Sequence, residues 1–390
     1  MFKTFWMAGF ECSCHRRRDG RRLDLSAATG HERWAGADYA RLRSLGIETA
    51  REGIAWHQQT ASLSSVRARA RAASNAGIQV IWDLCHYGWP EEIDIFRPAF
   101  VDHFAAFAKS VAEVVAGESD ETPFYVPVNE ISFWSWAGGE VGFFNPFSTG
   151  RGFELKAQLA RAALAATAAV WSVDPRARIL QVDPLIHIEA DPARPEDSLA
   201  AQGHRGAQFQ AWEMLRGELW PQLGGDPRHL DLVGVNYYPS NQWILDGPTI
   251  DRGHPLHRPF RDLLGEAHKR YGRPLVVAET GAAGEDRAPW LAYIGDEVRA
   301  ARQAGVPVLG VCLYPILDYP GWDDDRHCEV GLWGYADETG ERPIYPPLAA
   351  ELRRQQQLSH AAETVQLGDL ASATPGLAEL TLQENELARV

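Results

Sequence analysis

Phe124-Tyr-Val-Pro-Val-Asn-Glu130 is an apolar, strand-like run that ends in a glutamate, and Pro274-Leu-Val-Val-Ala-Glu279 repeats the design far downstream. A buried strand that delivers a carboxylate must pair or desolvate a charge, which is costly unless the group has a task. Working outward, similar β-rich runs recur at 4–11, 47–56, 79–86, 178–183, 232–238 and 308–314. With 124–130 and 275–279 they make eight. Helix-like stretches fall between them, at 38–45, 65–76, 98–115, 153–173, 198–216, 260–270 and 288–304, and a last one covers 347–357. Gly46, Gly77 and Gly305 follow three of these stretches, as helix C-caps do. Continuous apolar strands alternating with helices predict a parallel sheet covered by helices. Eight units predict a closed (β/α)8 TIM barrel in a single domain. An open nucleotide-binding sheet would want a glycine-rich turn after its first strand. Here that strand leads into Glu11-Cys-Ser-Cys-His-Arg16, without such a turn. The barrel is expected to occupy 1–357. Residues 358–390 read as a polar C-terminal tail, partly helical or disordered.

Composition narrows the function classes. Of 390 residues, 45% are apolar and 23% charged, as in ordinary globular proteins. A formal charge of −14 argues against a nucleic-acid partner, which calls for a basic face. The lysines are Lys3, Lys109, Lys156 and Lys269, and none closes a strand, which disfavours Schiff-base chemistry. Five cysteines without a regular framework predict a reduced, cytoplasmic setting. Cys12-Ser-Cys14-His15 has the look of a metal fragment, but no second pair at ligand spacing completes it, so no metal is expected. The N-terminus reads as a first strand rather than a signal peptide, and no run of about 18 apolar residues predicts a membrane span.

In such a barrel the strand C-termini converge on one face. The residues collected there are Glu11, Arg51, Trp56, His86, Asn129, Glu130, Asp183, Asn236, Tyr238, Glu279 and Tyr314. Several segments resemble the family 1 β-glycosidases among the clan A retaining glycosidases. Arg51-Glu-Gly-Ile-Ala-Trp56 is similar to that family's Arg-Phe-Ser-Ile-Ser-Trp strand. Asp83-Leu-Cys-His-Tyr-Gly-Trp-Pro90 is similar to its His-Trp-Asp-Leu-Pro segment, and Val128-Asn-Glu130 to Phe-Asn-Glu. Leu232-Val-Gly-Val-Asn-Tyr-Tyr238 resembles Leu-Gly-Ile-Asn-Tyr-Tyr, and Ala278-Glu-Thr-Gly281 resembles Thr-Glu-Asn-Gly. Tyr314-Pro-Ile-Leu-Asp-Tyr-Pro-Gly-Trp322 and Gly331-Leu332 resemble Trp-Ser-Leu-Leu-Asp-Asn-Phe-Glu-Trp and its following Phe-Gly-Leu. The motifs run in the family's order from Arg51 to Leu332.

The resemblance implies a retaining β-glycosidase with Glu130 as general acid/base and Glu279 as nucleophile, their carboxyl groups about 5–5.5 Å apart. Arg51 and Tyr238 would support the nucleophile, since an adjacent cation favours the ionised carboxylate. Phe133, Trp134 and Trp136 would give the acid an apolar setting that keeps its proton. Asn129 would meet the sugar 2-hydroxyl, His86 another hydroxyl, and Trp322 would be a sugar platform. Asn236 belongs to the same strand-end set. Phe143 and Phe144 with Trp134 and Trp136 are expected to form an aromatic mouth.

The departures are specific. Gly321 stands where the family has a sugar-gripping glutamate, and Tyr314 replaces a tryptophan. Glu11 lies near the family's glutamine, and Ile131 follows the acid motif where proline is usual. A modified sugar, using space over Gly321, is therefore expected, with Asp323, Asp324, Asp325, Arg326 and His327 as substitute contacts or as a solvated loop. The implied partner is a small-molecule or oligosaccharide glycoside, with no cofactor. A transglycosidase using the same pair, or a non-catalytic sugar-binding barrel, is the alternative.

Overall fold

Alternate residues along each β-rich run face opposite sides of one closed sheet. Its strands are β1 (Trp6–Gly9), β2 (Thr49–Gly53), β3 (Gln79–Asp83), β4 (Phe124–Val126), β5 (Arg178–Pro184), β6 (Leu232–Asn236), β7 (Leu275–Thr280) and β8 (Val308–Leu313). Each pairs in parallel with its sequence neighbours, and β8 closes on β1 through Trp6–Val311 and Ala8–Leu313. The computed structural model describes residues 1–58 and 62–372, with the backbone alone for 362–372. Inside the barrel, Met7, Ile81, Phe124, Val126, Leu180, Val182, Leu232, Val276 and Ala278 form one apolar cluster. The outward residues of the same strands, such as Ala8, Trp82, Ile179, Val233 and Val277, join the larger layer beneath the helices. This is the expected TIM barrel.

The strands are shorter than the apolar runs. β4 stops at Val126 because Pro127 has no N–H to offer the ladder. The chain beyond it stays docked, since Asn129 N–H donates to the Cys85 carbonyl and Glu130 N–H to the Val182 carbonyl, both at 3.0 Å. Glu130 therefore lies four residues past the strand, not at its end, whereas Glu279 is inside β7. The 198–216 stretch is two helices, Ser198–Ala207 and Gln210–Arg216. The last helix is Pro346–Ser372, running through the expected boundary at 357. Residues 373–390 of the expected tail lie outside the described residues.

One buried polar network ties the helix His31–Ser44 to the barrel wall. His31 Nδ1 meets Asp38 at 2.9 Å and Nε2 meets Glu52 at 2.8 Å, so the ring holds both protons and is cationic. Glu52 also accepts from Tyr39 and Arg69, and Asp38 from Arg41 and Arg342. Burial alone would lower the His31 pKa, but Glu52 and Asp38 outweigh it and hold it above its ordinary value. Burial would raise Asp38 and Glu52, and their cationic partners hold both below theirs.

The His31 contribution is thus complete below about 6.5 and lost as pH rises through its raised folded value. The carboxylates contribute above about 4 and lose that as pH falls through their depressed values. His31→Leu is expected to destabilise the fold by about 3 kcal/mol near pH 6, since it breaks a buried ion pair. Urea unfolding of both proteins at pH 6 and pH 9 checks this. The difference should shrink at the higher pH, and a pH-independent gap would show that packing alone is being measured.

Candidate active site

β2 places Arg51 at the centre of the carboxyl end of the barrel, and its guanidinium organises four strands. Nη1 donates to Glu279 Oε1 at 2.6 Å and to the Ala278 carbonyl at 3.3 Å. Nη2 donates to Asp83 Oδ2 at 2.6 Å and to Asn129 Oδ1 at 2.7 Å. The other Glu279 oxygen accepts from the Tyr238 hydroxyl at 2.8 Å. Both oxygens of Glu279 are therefore met by donors, as an ionised carboxylate requires.

Glu130 is treated differently. Asn236 Nδ2 donates to Oε1 at 2.9 Å, and the Tyr87 hydroxyl donates to Oε2. No cation touches it among the described residues. Burial, then the charge of Glu279, push its pKa up to about 7, against the lowering effect of these two hydrogen bonds. The backbone of Glu130 is left-handed, φ 47°, and so is that of Tyr87, φ 68°. Such a conformation costs about 1–3 kcal/mol in a non-glycine residue. Here two strained residues are joined by their own side chains, which aims the Glu130 carboxyl. Asp183 fixes the next turn by accepting from Ser132 N–H at 3.0 Å and Ser132 Oγ at 2.8 Å.

Both side-chain polar atoms of Asn129 are engaged. Its Oδ1 takes Arg51, and its Nδ2 donates to the Tyr87 hydroxyl at 2.9 Å and to His86 Nε2 at 3.1 Å. That leaves His86 Nδ1 to donate to Asp83 at 2.9 Å, with Cys12 Sγ 3.2 Å away. Cys12, Asp83 and His86 have potential metal-donor atoms within 4.8 Å of one another. A divalent cation there would face the Arg51 guanidinium already bound to Asp83, so the donor set is assigned to hydrogen bonding.

These elements surround a cavity of about 830 Å³. Glu11, His86, Glu130, Tyr238, Glu279, Tyr314 and Trp322 line it, as the sequence led one to expect, together with Phe133 and Trp136. Glu11 Oε1 accepts from Cys12 N–H, Ser13 N–H and Ser13 Oγ. Tyr314 packs against β1, where a Cβ on Gly9 would stand 2.3 Å from its ring. Only a glycine leaves room for it.

Arg51, Asn129 and Asn236 sit behind the lining and act on it through hydrogen bonds. Three expectations are corrected. Trp134 is not a wall of the site: it is fully buried and donates to the Asn145 carbonyl at 3.1 Å while packing on Tyr87. Phe143 and Phe144 do not line the cavity, whereas Trp136, Phe153 and Trp243 do. The space over Gly321 is filled, since a Cβ there would lie 2.7 Å from Asp324 Oδ1 and 3.2 Å from Arg326 Cγ. The 323–327 loop is solvent-exposed: Asp325 pairs with Arg17 and Arg21, and His327 pairs with Asp318.

Tyr87 and Lys156 are among the lining residues that were not foreseen. Tyr87 stands inside the quoted 83–90 segment beside His86, but nothing in the sequence signals its positive φ. Lys156 was considered only as a helix residue. It lies on the helix Gly152–Val173 and reaches the cavity from the side.

No family model matches the chain, and no curated protein does. Solved structures do match. The family 1 β-glucosidase from Thermotoga maritima superposes with a TM-score of 0.72 at 16% identity, over 90% of this chain and 97% of that one. The same organism's β-glucosidase in complex with glucoimidazole gives 0.73 at 15% identity, over 90% and 98%. The AHE enzyme from Alicyclobacillus herbarius gives 0.71 at 18%, over 85% and 88%. The chain is thus a (β/α)8 barrel whose structural neighbours include β-glucosidases.

Proposed function

We propose that the protein is a retaining β-glycosidase in which Glu279 is the nucleophile and Glu130 the acid/base. The observation that carries this is the division of labour within one cavity. Glu279 is met by Arg51 and Tyr238, while burial and the charge of Glu279 keep the proton on Glu130. Glu279 attacks the anomeric carbon as Glu130 protonates the departing oxygen, leaving a glycosyl ester on Glu279. Glu130, now ionised, takes a proton from water, which attacks the anomeric carbon and frees Glu279. The mechanism requires the carboxyl groups to stand about 5–5.5 Å apart. No cofactor takes part in either step.

The sugar proposed is one with modified or missing distal hydroxyls, because the resemblance puts Gly321 where the family has a sugar-gripping glutamate, and neither Gly321 nor the loop folded over it lines the cavity. The aromatic lining from Phe133, Trp136, Phe153 and Trp243 also supports a second outcome. An alcohol held there could replace water in the second step, which would make the same pair a transglycosidase. The test is a panel of unmodified and distally modified aryl β-glycosides, with the product anomer read by NMR and an activated 2-fluoro glycoside used as a label. Retention and a label on Glu279 are expected. Inversion, or a label elsewhere, would overturn the proposal.

The protonation of Glu130 sets the pH profile. kcat/KM should fall above about pH 7, as Glu130 loses its proton. Tyr87→Phe removes a hydrogen bond that favours the ionised form, so the basic limb should move to higher pH. A limb that stays in place or moves down would show that Tyr87 does not act on Glu130.

A further inference from the structure

Lys156 is more than nine-tenths buried, at 8% exposed, yet it lines the cavity. Its ammonium donates to Gln210 Oε1 at 2.9 Å and to the Ala207 carbonyl at 3.4 Å. Both partners are neutral, and an ammonium has three N–H groups. Burial lowers its pKa, as expected for a cation without a counter-ion in contact. Asp183 acts on Lys156 through its charge, which partly offsets the effect of burial, but no ion pair joins Lys156 to a carboxylate among the described residues. Glu140 accepts from Gly152 N–H at 3.1 Å, and Asp183 is held by Ser132. Phe133, Trp136, Phe153, Ile186, Ile188 and Trp243 line the same cavity as Lys156, Glu130 and Glu279, together with the polar Gln208 and His204.

The geometry points to an anion subsite on the leaving-group side of the cavity: Lys156 receives a carboxylate carried by an aromatic aglycone. A buried cation with one unused donor gains most from an anion that arrives already desolvated by an apolar ring. A single ammonium suits a monoanionic carboxylate. The substrate class is therefore a β-glycoside of a phenolic or other aromatic acid. This deepens the glycosidase proposal and rests on it for the sugar half of the substrate.

The test is arranged so that the two can fail separately. Binding of 4-hydroxybenzoate and of its neutral isostere 4-hydroxybenzamide is measured by calorimetry on the intact protein, without turnover. The carboxylate should bind roughly ten- to hundred-fold more tightly. Lys156→Met should erase the preference. So should Lys156→Gln, which keeps a donor for Gln210 without the charge. Equal affinities in the native protein, including no binding of either at millimolar concentration, overturn the subsite. A preference that survives in both folded variants also overturns it. An intact preference in a protein that cleaves no glycoside supports the subsite and counts against the glycosidase proposal alone.

Discussion

Glu279→Ala is expected to abolish turnover of an activated aryl β-glycoside, and azide or formate should restore part of it. Loss of a nucleophile that works as a unit with its partners costs on the order of 10⁴–10⁶-fold in rate. The variant should still fold, because Arg51 keeps Asp83 at 2.6 Å and Asn129 at 2.7 Å as partners. The vacated space lies beside the Arg51 guanidinium and the Tyr238 hydroxyl, which would hold a small anion where the carboxylate stood. Azide attacking from there makes one displacement in place of two, so the product should be the inverted α-glycosyl azide. A variant that retains native turnover, or a rescued product with retained configuration, would place the nucleophile elsewhere.

The barrel was legible because its strands are buried on both faces and so read as continuous apolar runs. Positions within the runs were less legible. The sequence cannot show where a ladder gives way to an extended segment that still hydrogen-bonds, as at 127–130, so Glu130 reads as a strand end when it lies beyond one. Polar residues at strand ends were found because their type is out of place in an apolar run. Tyr87 is not out of place beside aromatic neighbours, and its role depends on a left-handed φ that only the fold reveals. Trp134 shows the opposite failure. Proximity in sequence to Glu130 suggested a wall of the site, but on the short helix Ile131–Trp134 it is Phe133 that lines the cavity while Trp134 packs into the core. Gly321 was read by the side chain it lacks, which says nothing of the loop that folds over it. Lys156 sits in an Ala-rich helix and reaches the cavity only through tertiary packing.

Glu130→Ala should produce a loss that depends on the leaving group. A dinitrophenolate needs little protonation to depart, so formation of the glycosyl ester should stay comparatively fast for it. A phenyl or alkyl glycoside needs the proton, and its ester formation should slow by roughly 10²–10⁴-fold, the usual worth of a positioned general acid. The second step loses its base for every substrate, so the ester on Glu279 should accumulate and show as a burst with the good leaving group. Azide needs no deprotonation to attack that ester. It should accelerate turnover and yield the β-glycosyl azide, the opposite anomer from the Glu279 variant. The same substitution also removes the charge-sensitive group at about 7, so the basic limb of the pH profile should vanish. Removing Glu130 frees Tyr87 and Asn236 from a carboxyl but leaves Asn129 bonded to Tyr87 and the Arg51 cluster intact. A general collapse of the site is therefore not expected to mimic the effect. Equal losses on good and poor leaving groups, with no burst, would mean that Glu130 is not the proton donor.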